Sequence, residues 1–416
     1  MPHPLDHAYI RAQFPAFSHP ETGQCIMSEN AGGSYAAQPV VDRLNRYMTG
    51  QVQPYWQFPA STATRRDMDS SLELWTAAIN AEPEEVMFGP STSMNTYVLA
   101  RALRSELSVG DEVIVTNQDH EANNGAWRRL AEGNSGIVVR EWSVDPETGR
   151  LDISKLKNLL NARTKYVFVT HCSNIAGEIH DIAAITKQVH AAGAKIGVDG
   201  VSCAPHLLPD VKALGVDFYY FSLYKVYGPH QGLLYVKRQH LERIANQGHF
   251  FNATSLGKRL TPAGPQHADI ACAGGTIEYL EAAFAHHLAA GVTPAMTLCE
   301  RVQSIMERFH AHECVQANRI LSLLRDKGAR IVGPQTAEPH KRAATVAFRP
   351  KRGTPQDAEA KLIERKICCG SGHFYAFRLM RALGIDPEEG VIRLSLVHYN
   401  SHADVTRILE ALDAVL

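Results

Sequence analysis

Lys225 ends the run Asp217-Phe-Tyr-Tyr-Phe-Ser222-Leu-Tyr-Lys225 and is followed at once by Val-Tyr-Gly228-Pro. An amine delivered by a buried apolar strand into a turn is placed for use, and its strongest use is a Schiff base with an aldehyde cofactor. Asp199 ends a second apolar run, Ile196-Gly-Val-Asp199. A carboxylate at the end of a buried strand needs a partner. A pyridinium nitrogen would supply one and would strengthen that ring as an electron sink; a helix cap or a metal ligand is the alternative, though no second acidic ligand lies nearby in sequence. His120, in Asp119-His120-Glu121-Ala-Asn123, follows the apolar run 113–116 and could stack on a planar cofactor and shuttle protons. The chain has 20 histidines, so a structural or solvated histidine is the competing reading. Gly89-Pro-Ser-Thr92-Ser93-Met-Asn95 is a hydroxyl-rich turn entering the apolar helical stretch 97–103. Such a helix start suits a phosphate, and equally an ordinary N-cap.

Ser222-Leu-Tyr-Lys225 also matches the Ser-x-x-Lys string of penicillin-recognising enzymes, but their Ser-Asp-Asn and Lys-Thr-Gly companions are missing. No P-loop, Gly-x-Gly-x-x-Gly or His-Glu-x-x-His string occurs either.

The elements that must position these residues alternate over about 70–240. Apolar runs at 111–116, 165–170, 195–199 and 218–222 are separated by helical stretches such as 182–192, closed by Gly193. Near-continuous apolar strands between helices predict an α/β fold with a mainly parallel sheet covered on both faces. Ligands then belong at the carboxyl ends of the strands, where residues 170–174, Asp199 and residues 222–225 fall. After about residue 280 the pattern changes to a long helical stretch (276–327), a strand (343–348), a helix (355–366), a strand (390–396) and a final helix from Ala403. This predicts a smaller α+β domain, with one large α/β domain as the alternative.

The 416 residues suffice for two domains, and 45% hydrophobic with 20% charged residues is ordinary globular composition. A net charge of −1 argues against nucleic acid or an anionic membrane as main partner, leaving a small molecule. No run approaches the roughly 18 apolar residues of a membrane span. Residues 1–7 lack the basic and apolar regions of a signal peptide. The eight cysteines show neither Cys-x-x-Cys pairs nor zinc spacing. Free thiols and a cytoplasmic location are the expectation.

Asp199-Gly200, the block Phe218-Tyr-Tyr-Phe-Ser222-x-x-Lys225-x-Tyr-Gly-Pro and Gly232-Leu-Leu-Tyr-Val-Lys237 resemble the class V aminotransferases. These are fold-type I pyridoxal-phosphate enzymes, and the similarity is to their cysteine desulfurase and selenocysteine lyase branch, from about Asn30 to the C-terminus. The resemblance implies a seven-stranded-type sheet in a large domain at 30–285, with 1–29 and 286–416 forming the small domain. It implies a homodimer with shared active sites acting on an amino acid. Lys225 would anchor pyridoxal 5'-phosphate and move the proton; Asp199 would pair with the ring nitrogen and His120 would stack on the ring. Thr92, Ser93 and Ser222 would hold the phosphate, and Thr276 would reach the phosphate of a partner subunit. Asn174 would approach the cofactor's phenolic oxygen or the substrate. Arg393 would clamp the substrate carboxylate, a pairing whose bidentate geometry fixes the amino acid over the ring. Further substrate contacts are expected near Asn30 to Ser34, Arg65, Arg66 and 373–375.

Three departures matter. Ser202 stands where desulfurases carry a glutamine near the phenolate, so that contact changes. Tyr224 replaces the histidine before the lysine. Tyr375 falls where the sulfur-accepting cysteine is expected, while Cys368 and Cys369 lie on a predicted strand as structural buried thiols. Without a thiolate there is no obvious persulfide acceptor. A carbon–sulfur lyase that releases its sulfur product is therefore expected first. Epimerisation, as in isopenicillin N epimerase, and transamination are the alternatives, and a non-catalytic cofactor-binding protein is the remote one.

Overall fold

The computed structural model describes residues 4–133, 135–288 and 296–416. A short strand β1 (Ile26–Met27) precedes the large sheet, which is built from β2 (Val86–Gly89), β3 (Glu112–Thr116), β4 (Val138–Trp142), β5 (Thr164–Thr170), β6 (Lys195–Asp199), β7 (Phe218–Ser222) and β8 (Gly232–Val236). Their order is β2-β8-β7-β6-β5-β3-β4. All neighbours are parallel except β8, which is antiparallel to both β2 and β7.

The apolar runs form central strands because both of their faces are covered. Along β5, Val167 and Val169 enter one core while Tyr166 and Phe168 enter the core on the opposite face, the two-residue alternation of a pleated strand. Trp127 stacks flat on Phe168 with ring centroids 3.6 Å apart. The edge strand β4 is instead exposed or half-buried up to Trp142 and carries Arg140 and Glu141, charges that discourage edge-to-edge pairing.

A second sheet is built from β9 (Arg330–Ile331), β10 (Thr345–Arg349), β12 (Gly370–Gly372) and β13 (Val391–Ser395), antiparallel in the order β12-β13-β10-β9. Between β10 and β12, β11 (Ile367–Cys368) pairs in parallel with β1, which ties the N-terminal segment to the C-terminal elements. Residues of the helices Leu298–Asp326, Pro355–Glu364 and His402–Val415 share one apolar cluster with this sheet. The helix Leu298–Asp326 starts at a capping box in which Thr297 and Glu300 satisfy each other's backbone N–H groups.

The expected helix 276–327 is two helices, Gly275–Leu288 and Leu298–Asp326; its middle, 289–295, lies outside the described residues. Strand β10 starts at Thr345, later than expected, because the Ala343 N–H is bonded to Gly177 O. Cys368 lies on β11 as expected, but Cys368 and Cys369 are partly exposed where buried thiols were expected.

Candidate active site

The carboxyl ends of β5, β6 and β7 converge on a cavity of about 210 Å³ lined by Thr92, Ser93, His120, Asn174, Asp199, Ser202, Ser222 and Lys225. Adjacent parallel strands do this directly, since Thr170 at the end of β5 is the register partner of Asp199. Eight of the residues expected from sequence therefore meet in one place.

Lys225 is 8% exposed, and its amine makes no hydrogen bond or ion pair among the described residues. Burial, then the nearby Arg393 charge, pushes its ammonium down to about 8, with Asp199 and Glu29 opposing. The turn that carries it is braced from the N-terminal segment. Ser34 Oγ donates to Tyr224 O at 3.0 Å and accepts from the Tyr227 N–H at 2.8 Å.

Asp199 accepts the Val201 N–H at 2.8 Å through one oxygen, and its other oxygen has no partner among the described residues. Burial lifts its carboxyl to about 6, against the Val201 hydrogen bond and the Lys225 charge. His120 accepts the Ala122 N–H at 3.0 Å through Nδ1, which leaves the proton of the neutral ring on Nε2. Burial, then the Lys225 and Arg393 charges, pushes it down to about 3. The loop carrying it is held by Asp119, which accepts from Thr116 Oγ1 at 2.8 Å, Asn123 Nδ2 at 2.8 Å and the Thr170 N–H at 3.1 Å.

The hydroxyl cradle joins a helix start to a strand end. Thr92 opens the helix Thr92–Leu103, capped by Ser91 Oγ accepting the Met94 N–H at 3.2 Å, and Thr92 Oγ1 lies 2.7 Å from Ser222 Oγ. Gly232 makes this possible: a Cβ there would sit 2.4 Å from Ser91 C and 2.5 Å from Thr92 N. Tyr224, which stands in place of the histidine before the lysine, and His230, not singled out from sequence, close the cavity wall as a stacked pair with centroids 4.5 Å apart.

Other expected residues lie elsewhere or are already engaged. Thr276 is fully buried within its own chain, and its Oγ1 has no hydrogen-bond partner among the described residues. Asn30 spends its amide on Ser395 O at 2.9 Å and on the Tyr399 hydroxyl, and does not line the cavity. Tyr375 is 67% exposed and packs outside His120, with ring centroids 5.0 Å apart. Its neighbour Phe374 turns inward instead, with the Arg393 guanidinium 3.8 Å from its ring centroid. Arg65 pairs with Asp69 at 3.6 Å on a different groove. Asn174 donates to Phe374 O at 2.9 Å and keeps a buried Oδ1 without a partner among the described residues.

Arg393 lies on β13, almost wholly buried. Its guanidinium is held by both oxygens of Glu29 (Nε to Oε2 at 3.2 Å, with Nη2 on Oε1) and donates from Nη1 to Asn174 O at 3.1 Å. Sequence reasoning missed Glu29 because nothing in residues 28–30 announces a partner more than 360 positions away.

The aminotransferase class-V family model matches residues 26–408 of this chain. The chain belongs to that family and to its cysteine desulfurase-like branch, and it is a pyridoxal-phosphate-dependent enzyme. Aminotransferase-like protein FGM3 of Gibberella zeae is 34% identical to it, over 98% of this chain and 98% of its own length. Cysteine desulfurase-like protein ustD of Aspergillus flavus is 28% identical, over 99% of this chain and 91% of its own. Among solved structures, the apo cysteine desulfurase of Thermococcus onnurineus NA1 shares the fold with a TM-score of 0.84 at 24% identity, covering 100% of this chain and 99% of that one.

The residues present fit the cofactor. A free amine, a carboxylate oxygen without a partner, a neutral imidazole and a hydroxyl pair at a helix start face one cavity.

Proposed function

We propose that this protein is a carbon–sulfur lyase acting on a cysteine-type amino acid and releasing its sulfur product to solvent. The observation that carries this is the state of the thiols around the cavity. Cys172 is the only cysteine lining it among the described residues; it is fully buried, and burial pushes its thiol up to about 12. A protonated, enclosed thiol is a poor sulfur acceptor. The loop after β12 offers Tyr375 in place of a cysteine. The similarity to a cysteine desulfurase-like protein supports the substrate class.

Bound pyridoxal phosphate supplies an electron sink for the pair released at the substrate's α-carbon. On this reading Lys225 and the hydroxyls of Thr92, Ser93 and Ser222 hold it, Asp199 keeps the proton on its ring nitrogen, and His120 covers the ring without adding charge. Ser202 and Asn174 Oδ1 complete the polar wall. Arg393 orients the substrate through its carboxylate. Lys225 Nζ takes the α-proton, and its lowered pKa leaves a useful neutral fraction near physiological pH.

Two wider features belong to the same reading. Tyr55, Trp56, Phe58, Phe250 and Phe251 are exposed, and Tyr55 and Phe251 line one groove. Apolar surface of this kind supports a homodimer. The division into 30–285 and a unit of 1–29 plus 286–416 is supported by the pairing of β1 with β11. All eight cysteines are free, which supports a reducing, cytoplasmic setting.

Incubation with cysteine, cysteine sulfinate and related amino acids, with product analysis, tests the reaction. Pyruvate, ammonia and sulfide from cysteine, or alanine and sulfite from cysteine sulfinate, with no persulfide on the protein, are the expected products. Stoichiometric conversion of the cofactor to its amine form would assign transamination instead. Solvent deuterium at the α-carbon with loss of chirality would assign epimerisation.

A further inference from the structure

The bidentate pairing of Glu29 with Arg393 places an internal carboxylate where the proposed function puts the substrate's. The two oxygens of Glu29 take the Nε–Nη2 edge of the guanidinium, one of the edges with which arginine grips a planar carboxylate.

The arrangement is built by the fold. Glu29 is bridged in parallel to Ser395 on the strand that carries Arg393, flanked by the bonds from Ser395 N to Ser28 O at 2.6 Å and from Asn30 N to Ser395 O at 3.2 Å. Opposite Arg393 in register stands Gly370. A Cβ at Gly370 would lie 3.1 Å from the Phe374 ring and 3.7 Å from the Glu29 carboxyl carbon. The missing side chain leaves room for the ring that covers the guanidinium and for the carboxylate that grips its edge.

The pair is unequal in exposure. The Arg393 side chain is 4% exposed and that of Glu29 is 20%. A guanidinium this buried is costly without an anion, whereas the more exposed carboxylate can move into water. Exchange of one carboxylate for another keeps the charge balanced throughout.

We infer that Glu29 is a resident ligand of Arg393 that the substrate's carboxylate must displace, so that Glu29 sets the affinity of the site for carboxylate substrates. The inference rests on reading Arg393 as the carboxylate clamp. Glu29 is a specificity residue here, acting through Arg393.

Propionate, a carboxylate without an amino group, serves as the probe, with binding to the cofactor-loaded protein measured by calorimetry. Glu29→Gln keeps the shape and one hydrogen-bond acceptor but removes the competing charge. Its propionate Kd and its KM for the amino acid substrate are each expected to fall about tenfold or more, with kcat changing less than KM. Glu29→Asp keeps the charge on a shorter arm and is expected to fall between the two, which preserves the test if the glutamine variant does not fold. Unchanged or weaker propionate binding in both variants, with a raised KM, would overturn the exchange and make Glu29 a brace for Arg393. Failure of wild type and variants alike to bind propionate would overturn the clamp itself, and the exchange with it.

Discussion

At Lys225, the burial that strips the ammonium of solvent is what readies the amine. Only the neutral amine attacks an aldehyde, and its population grows through about pH 8, well below the 10.5 of a free lysine. Cofactor capture by the apoprotein should therefore accelerate as pH rises to about 8 and then level off; stopped-flow absorbance across pH 6 to about 10 checks this. Asp199 works in the opposite sense. Its carboxyl is lifted to about 6 by burial, so the empty fold prefers it protonated and loses stability as pH rises from 3.8 through 6. A cationic ring nitrogen relieves that cost. Asp199→Asn should weaken cofactor binding at neutral pH by at least about tenfold while leaving the apoprotein as stable or more so, measured by cofactor titration and thermal melting. These two residues were legible in sequence because each closes an apolar run, Asp199 at the end of β6 and Lys225 in the turn after β7, with a charge that has no local use. The surroundings of Asn30 and Thr276 were not legible, since what bonds or encloses them lies at Ser395, Tyr399 and Gly228, distant in sequence.

Among elements, the contact between β8 and the helix Thr92–Leu103 decides the phosphate cradle. Gly232 sits where any side chain would meet the Ser91–Thr92 backbone. Gly232→Ala should cost about 1–3 kcal/mol by overpacking and should loosen the spacing of Thr92 and Ser222, read as a lower denaturation midpoint and faster cofactor release. The central strands were legible because both faces are apolar, and the helix 182–191 because Gly193 closes it. The loop after β12 was not. Phe374 and Tyr375 both take positive φ (45° and 61°), and this turns Phe374 toward Arg393 and Tyr375 outward. Backbone of that kind at bulky residues leaves no signature in composition.

On the scale of the whole molecule, the helix Leu298–Asp326 is pinned to the segment after β6 by Glu313, whose Oε2 lies 2.6 Å from His206 Nδ1. Burial raises the Glu313 carboxyl, but the His206 charge and hydrogen bond and the contribution of His310 outweigh it, leaving it at about 2. A depressed carboxyl stabilises the fold above its unfolded value of 4.5, and that contribution is lost as pH falls from 4.5 through about 2. Glu313→Gln should therefore cost about 3 kcal/mol at pH 7 and progressively less below about pH 4, checked by denaturant unfolding at both. The α/β architecture with a smaller α+β unit was readable from periodicity alone. The joining of β1 to β11 was not, because two-residue strands carry no period.

Every role assigned around the cavity depends on Lys225 being the cofactor anchor. Borohydride reduction of the cofactor-loaded protein, followed by proteolysis and mass spectrometry, tests it most directly. The expected result is the pyridoxyl group on the peptide containing Lys225, and no Schiff-base absorbance band in Lys225→Ala. A pyridoxyl group on another lysine, or the absorbance surviving in that variant, would contradict it.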